Sequence, residues 1–178
     1  SNAKLELESP FIAEVVIENL SQRLKKLNLN PKKALIFGRG AVGDNVSSLL
    51  KGNIKIQHFD LKKERSDISH SEIIKKLSEF DLIIGCTGYP ILNTEYYDCL
   101  KKNVILVSAS SSDREFSAYK LRKMVKKNND CHADLKINGI YLLNSGFPIN
   151  FDGNKNSVAP NKIQLTRALM FSAMCLAL

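Results

Sequence analysis

Apolar residues along this chain follow two rhythms. From Ser9 to Leu27, the residues Phe11, Ile12, Val15, Val16, Leu20, Leu24 and Leu27 recur mostly at spacings of three and four, which predicts an amphipathic helix. Ser9 stands where an N-cap would, and Pro10 suits the first helical position. A polar connection from Asn28 to Lys33, with Pro31 inside it, follows. Beyond it come short apolar runs: Ala34-Leu35-Ile36-Phe37, Ile54 to Phe59, Leu82-Ile83-Ile84, Val104-Ile105-Leu106-Val107 and Ile140-Tyr141-Leu142-Leu143. The first, third and fourth are nearly unbroken, as strands covered on both faces are. Crossover helices are expected over Val42 to Leu50, Ser71 to Leu77, Thr94 to Leu100 and Glu115 to Val125, and a last, apolar helix starts near Pro160. Strand and helix in alternation predict an α/β fold, an open doubly wound parallel sheet with an N-terminal helix and an apolar C-terminal helix.

One turn in this pattern carries chemistry. Gly38-Arg39-Gly40-Ala41-Val42-Gly43 matches G-x-G-x-x-G, and it follows a predicted strand and opens a predicted helix, the context that gives the motif physical meaning. Gly38 suits a tight turn, Gly40 lets backbone approach a pyrophosphate, and Gly43 lets helix and strand pack closely. The free N–H groups at the helix start would then face phosphate charge. Asp60 ends the second strand roughly twenty residues on, where a Rossmann-like fold holds the carboxylate that takes both ribose hydroxyls of NAD. A carboxylate there repels a 2′-phosphate and favours NAD over NADP, while Lys62, Lys63 and Arg65 oppose that preference. Cys86-Thr87-Gly88 follows the third run, and Ser108 to Asp113, with Ser110 and Ser111, follows the fourth. Both stretches lie at carboxyl ends of parallel strands, the edge along which such sheets bind ligands. A long polar and aromatic loop from Asn144 to Gly153 closes the last strand.

Length and charge narrow the partners. With 178 residues the chain fits one domain, and 44% apolar against 25% charged content argues against wholesale disorder. The net charge of +8 leaves an anionic cofactor open. The Lys pairs, from Lys25-Lys26 to Lys126-Lys127, are spread along the chain, which fits solvated faces and no nucleic-acid groove. No apolar stretch reaches the length of a membrane span, so no membrane partner is expected and the location is read as cytoplasmic. Cys86, Cys99, Cys131 and Cys175 form no C-x-x-C pair, and no metal is expected. Residues 1–3 read as the remnant of a tag, 4–30 as the helix leading in, and 31–178 as the dinucleotide-binding domain. Lys4 stands where an initiator Met would, and the last helix runs out on Met170 to Leu178, so the chain reads as a piece of a longer protein that associates with itself through its terminal helices.

Order and spacing together resemble the cofactor domain of the S-adenosylhomocysteine hydrolase family. The glycine loop from Gly38 to Gly43, Lys51-Gly52 followed by a strand ending in Asp60, Cys86-Thr87-Gly88, Val104 to Glu115, and Leu142-Leu143-Asn144-Ser145-Gly146 all resemble stretches of that family in the same order. The resemblance implies a Rossmann-like fold, NAD as cofactor, and contacts near the nicotinamide from Ser110, Ser111 and Asn144. Ser111 stands where the family has a His, the loop after Asn144 differs, and the family's Lys-and-Tyr tail is missing. The family draws its acid–base residues largely from a substrate domain that has no counterpart here. The expectation is thus an NAD-binding module of a larger enzyme with no catalytic residue of its own; a non-catalytic nucleotide-sensing or dimerisation module, or the cofactor domain of another oxidoreductase, are the alternatives.

Overall fold

The computed structural model describes residues 8–50, 52, 54–125, 130–153 and 159–177. The expected tag remnant Ser1 to Ala3, Lys4, Lys51, the Lys126-Lys127 pair and Leu178 lie outside the described residues. The elements run α1 (Ser9–Lys26), β1 (Lys33–Phe37), α2 (Ala41–Leu50), β2 (Lys55–Phe59), α3 (Ile73–Lys76), β3 (Leu82–Gly85), β4 (Val104–Ser108), α4 (Ala118–Lys123), β5 (Leu135–Ile137), β6 (Ile140–Leu142) and α5 (Gln164–Leu176). They build one sheet in the order β2-β1-β3-β4-β6-β5, parallel except for β5, which pairs antiparallel with β6. This is the open doubly wound architecture expected, with the strand order reversing between β1 and β3.

The central strands separate two cores because their side chains alternate. Ala34, Ile36, Leu82, Ile84, Ile105 and Val107 point to one face and meet Ala13, Val16 and Leu20 of α1 and Val46 of α2. Leu35, Phe37, Ile83 and Leu106 point to the other and meet Ile68, Phe80, Phe116 and Leu121. Both faces are dry, which is why the strands read as continuous apolar runs. Burying a side chain such as Leu35 or Ile84 contributes about 2 kcal/mol each. The helix α1 ends on Asn28 in the left-handed region (φ 52°), and the Leu29 N–H turns back to the Leu24 carbonyl at 2.9 Å.

Several local expectations change. The helix α1 opens at Ser9 with Glu8 in the cap position, and Ser9 is buried with no capping role. Thr94–Cys99 is a 3-10 helix, with the Tyr97 hydroxyl inside it donating to the Phe116 carbonyl. The crossover at Ser71 to Leu77 is α-helical only over Ile73–Lys76 and tightens into 3-10 at Leu77–Glu79. The helix expected from Glu115 begins at Ala118, because Ser117 is left-handed (φ 46°) and Glu115 is committed elsewhere. The sheet also has a strand beyond those expected: β5 joins β6 through Asn138 (φ 48°) and Gly139 (φ 81°), a two-residue turn with both positions left-handed. Among the described residues no helix is long and apolar enough to cross a membrane.

At the amino edge of the sheet one carboxylate ties three segments. Asp81 accepts the backbone N–H groups of Lys32 (2.8 Å) and Lys33 (2.9 Å) and the Lys101 ammonium (2.7 Å). Burial alone would raise its carboxyl, but Lys101 and the two N–H donors outweigh it and hold the pKa below the ordinary value. A pKa lower in the folded chain means the stabilisation is whole above about pH 4 and is lost as pH falls through the folded value. Replacing Asp81 by Ala is expected to cost about 2 kcal/mol near neutrality, lowering the melting temperature by roughly 4–8 °C. Thermal melts across pH check it: the gap between the two proteins should close in strong acid.

Candidate functional site

The carboxyl ends of β1, β2 and β3 converge on the glycine loop. Gly38 leaves β1 with φ +92°, its N–H bonded to the Phe59 carbonyl at 2.8 Å, while the Cys86 N–H bonds the Phe37 carbonyl at 2.8 Å. A side chain at Gly38 would press on Thr87 Cγ2 (3.0 Å) and the Cys86 carbonyl oxygen (3.1 Å). A Cβ at Gly43 would overlap the Gly38 carbonyl oxygen, so α2 can start where it does only with glycine there. Gly40 is different: nothing lies within 4 Å of where its Cβ would stand. The turn is sealed on the protein side and open at Gly40.

Asp60 braces this loop from the end of β2. One carboxylate oxygen accepts the Arg39 backbone N–H at 2.7 Å and the other accepts that of Lys62 at 2.9 Å. Burial pushes its carboxyl up, but the two N–H donors and the nearby charges of Arg65 and Lys62 hold it below the ordinary value. Each oxygen keeps a free lone pair for an outside hydroxyl. The Arg39 side chain lies on the surface, 3.3 Å from Asp44, and Arg65 reaches back to the Arg39 carbonyl at 3.2 Å.

Between these pieces lies a cleft of about 300 Å³ lined by Gly38, Gly40, Asp60, Cys86 and Thr87 and walled by Phe37, Phe59, Leu61, Tyr89, Pro90 and Ile91. Leu61 and Tyr89 are 83% and 74% exposed, apolar groups standing at a polar rim. Their signal in the sequence was a Leu and a Tyr in turns otherwise made of polar and small residues. Burial first, and then the negative charge of Glu115, push the Cys86 thiol up from its ordinary value and disfavour the thiolate.

The remaining candidates lie further along the edge. Gly88 sits beside the cleft in the turn after β3, left-handed at φ +73°. Ser110 turns inward to the Ser108 hydroxyl (3.1 Å) and the Ser112 carbonyl (3.1 Å), and Ser111 is exposed. Asn144 is fully buried after β6. Its Nδ2 donates to the carbonyls of Phe147 (3.3 Å), Pro148 (2.8 Å) and Phe151 (3.1 Å), while Oδ1 faces Arg23 (3.2 Å) and His132 Nδ1 (3.0 Å). Its amide therefore organises the loop and ties it to α1. Beside it a second, polar cleft of about 410 Å³ opens between α1 and the start of β5, lined by residues that include Arg23, Lys26, His132 and Asp134. The structure thus gathers Gly38, Gly40, Asp60, Cys86 and Thr87 around one cleft; Arg39, Ala41, Val42 and Gly43 of the loop are not among its lining residues, and Ser110, Ser111 and Asn144 lie outside it.

No family model matches the chain. Two proteins of Mycobacterium tuberculosis, one from each of two strains and both named only as uncharacterized, are 35% identical to it over 182 residues, which is 99% of this chain and 35% of theirs. The chain therefore spans 35% of the length of the curated relatives it matches. Among solved structures it is similar to an NADPH-dependent glyoxylate/hydroxypyruvate reductase of Sinorhizobium meliloti in its apo form, with 11% identity, 95% of this chain and 80% of that one covered, and a TM-score of 0.53. At that identity the likeness establishes the Rossmann-like fold.

The glycines make a test of the geometry that needs no ligand. Gly43→Ala is expected to cost about 3 kcal/mol and lower the melting temperature by roughly 10 °C, because backbone must move to admit the methyl group. Gly40→Val should melt within a degree or two of the parent in the same scan, since its side chain enters open space.

Proposed function

We propose that this chain is a dinucleotide-binding domain that takes the ADP-ribose half of NAD into the cleft formed by the glycine loop, Asp60 and the turn after β3. The observation that carries the reading is the contrast within the loop: Gly38 and Gly43 are closed in by protein, while Gly40 faces unfilled space beside an anionic Asp60. A backbone left bare there lets a pyrophosphate reach the N–H groups at the start of α2. Asp60 accepts the ribose hydroxyls with the lone pairs left over from Arg39 and Lys62, and Leu61 and Tyr89 offer apolar surface to the adenine. Cys86, Thr87 and Gly88 line the route toward β3, with Ser110 and Ser111 beyond it, and Asn144 acts there through the loop it organises. The low pKa of Asp60 keeps it charged and unfavourable to a 2′-phosphate, so NAD is preferred to NADP, an effect that Lys62 and Arg65 weaken.

Bound there, NAD would supply a hydride acceptor, and the chain's own work is binding and orientation. The finer reading is the cofactor module of a larger NAD-dependent enzyme resembling S-adenosylhomocysteine hydrolase, with acid–base residues on another part of that protein. The greater length of the relatives supports such a division.

Calorimetric titration with NAD, NADP and ADP-ribose tests the proposal. Micromolar binding of NAD and ADP-ribose is expected, with NADP about tenfold weaker, a repulsion of about 1.4 kcal/mol between like charges near the surface. Asp60→Ala should erase that preference, and Gly40→Val should abolish binding without unfolding the domain. No binding of any of the three overturns the reading.

A second reading, assembly through the C-terminal helix, has its own observation. Leu169, Met170, Phe171 and Met174 of α5 are 61–69% exposed along one short helix. If they join copies of the chain, sedimentation velocity should give a concentration-dependent dimer that Phe171→Glu returns to monomer.

A further inference from the structure

Glu115 is fully buried, and its carboxylate gathers donors from the turn after β3 and the end of β4. Oε1 accepts the backbone N–H of Thr87 (2.7 Å) and of Gly88 (3.1 Å) and lies 3.0 Å from the Thr87 hydroxyl. Oε2 accepts the Ser108 hydroxyl at 2.8 Å. Its backbone carbonyl takes the N–H groups of Ile91 (2.9 Å) and Leu92 (3.0 Å). None of these partners is a Lys, Arg or His. Room for the carboxylate is made by Gly85, the last residue of β3, where a Cβ would stand 2.5 Å from Oε2 and 2.6 Å from the carboxyl carbon. A Gln could staple the same turns without the cost of burying a charge. A structural staple alone leaves that negative charge unexplained.

The charge lies under the part of the crevice that the dinucleotide must cross. With the ADP-ribose half over β1 and β2, the rest of the molecule runs over the ends of β3 and β4, past the point where the strand order reverses. Nearby charges do not cancel Glu115: Asp113 is neutralised by Arg122 at 2.6 Å, and Arg114 is exposed to solvent that screens it. We infer that Glu115 is a specificity-determining residue for the redox form of the cofactor, an uncompensated anion beneath the crevice that favours the oxidised, cationic nicotinamide over the neutral reduced one. This rests on the dinucleotide reading above. Neither form changes the phosphates or the ribose contacts, so the preference comes from the ring charge alone, acting through a low-dielectric interior where a single charge weighs heavily.

The test is the ratio of dissociation constants for NADH and NAD⁺, measured by titration on wild type, Glu115→Gln and Glu115→Asp, with ADP-ribose as the reference that lacks the ring. Wild type should bind NAD⁺ about tenfold more tightly than NADH. Glu115→Gln, which keeps the size and most of the hydrogen bonds, should bring the ratio close to one while ADP-ribose affinity stays within about twofold. Glu115→Asp should weaken all three ligands and keep the ratio above one. Equal or tighter binding of NADH by wild type overturns the inference, as does an unchanged ratio in Glu115→Gln; either can occur with NAD⁺ and ADP-ribose binding intact. Failure of wild type to bind ADP-ribose and NAD⁺ at all overturns the dinucleotide reading instead, and the inference with it. Should Glu115→Gln lose its cooperative melt, the wild-type ratio and Glu115→Asp still decide.

Discussion

Helix α2 begins so close to the end of β1 that no side chain fits between them, and the rest of the edge is arranged around that approach. Because Gly43 sits against the Gly38 carbonyl, α2 points its first turn at the space above the sheet and not away from it. Asp60 can then reach the Arg39 N–H from β2, and Cys86 can hydrogen-bond the end of β1 from β3. Each contact lies one residue beyond a strand, so the sheet's register carries directly into the loops. What results is a cleft bounded by the bare Gly40, the Asp60 carboxylate and the turn after β3.

Polar staples at the two edges of the sheet do different work. At the amino edge, Asp81 gathers backbone N–H groups and a lysine in a partly exposed position, and its gain is ordinary stability. At the carboxyl edge, Glu115 and Asn144 are buried, and each side chain hydrogen-bonds the backbone of a loop. Asn144 lies in the left-handed region (φ 53°), followed by Ser145 (φ 52°) and Gly146 (φ 81°), a turn that its amide stabilises by donating to three carbonyls. These hydrogen bonds act beside the apolar anchors Leu92 and Ile149, which are buried in the same loops.

The strands were legible because two dry faces leave no room for polar residues, and Gly38 to Gly43 with Asp60 were legible because backbone geometry demands those residue types at that spacing. Strand β5 was not, since three residues with Lys136 exposed between Leu135 and Ile137 leave a weak alternation. Its readable sign was the Asn138-Gly139 pair. The crossover between β3 and β4 is long enough for a helix, but Tyr97 is drawn to the Phe116 carbonyl and the segment tightens to 3-10. Glu115 was harder still. A Glu beside a predicted helix reads as a cap, and nothing in its neighbours tells that its partners are the backbone of residues 27 and 28 positions away. Asn144 enters the sequence reading through a family resemblance, whereas its bonds to Arg23 and His132 belong to tertiary structure alone.

The bonds from α1 to the loop after β6 also set an order of events during synthesis. Asn19 donates to the Ile149 carbonyl at 2.8 Å across 130 residues, and Arg23 reaches Asn144 across 121. Within this stretch α1 therefore waits for the loop after β6 before its polar side is satisfied. Meanwhile β1, α2, β2 and β3, with the glycine loop and Asp60 between them, precede β6 in sequence and pair only among themselves and with β4. One half of the crevice can take shape on the nascent chain, and the domain closes as a unit only when the far end of the sheet emerges.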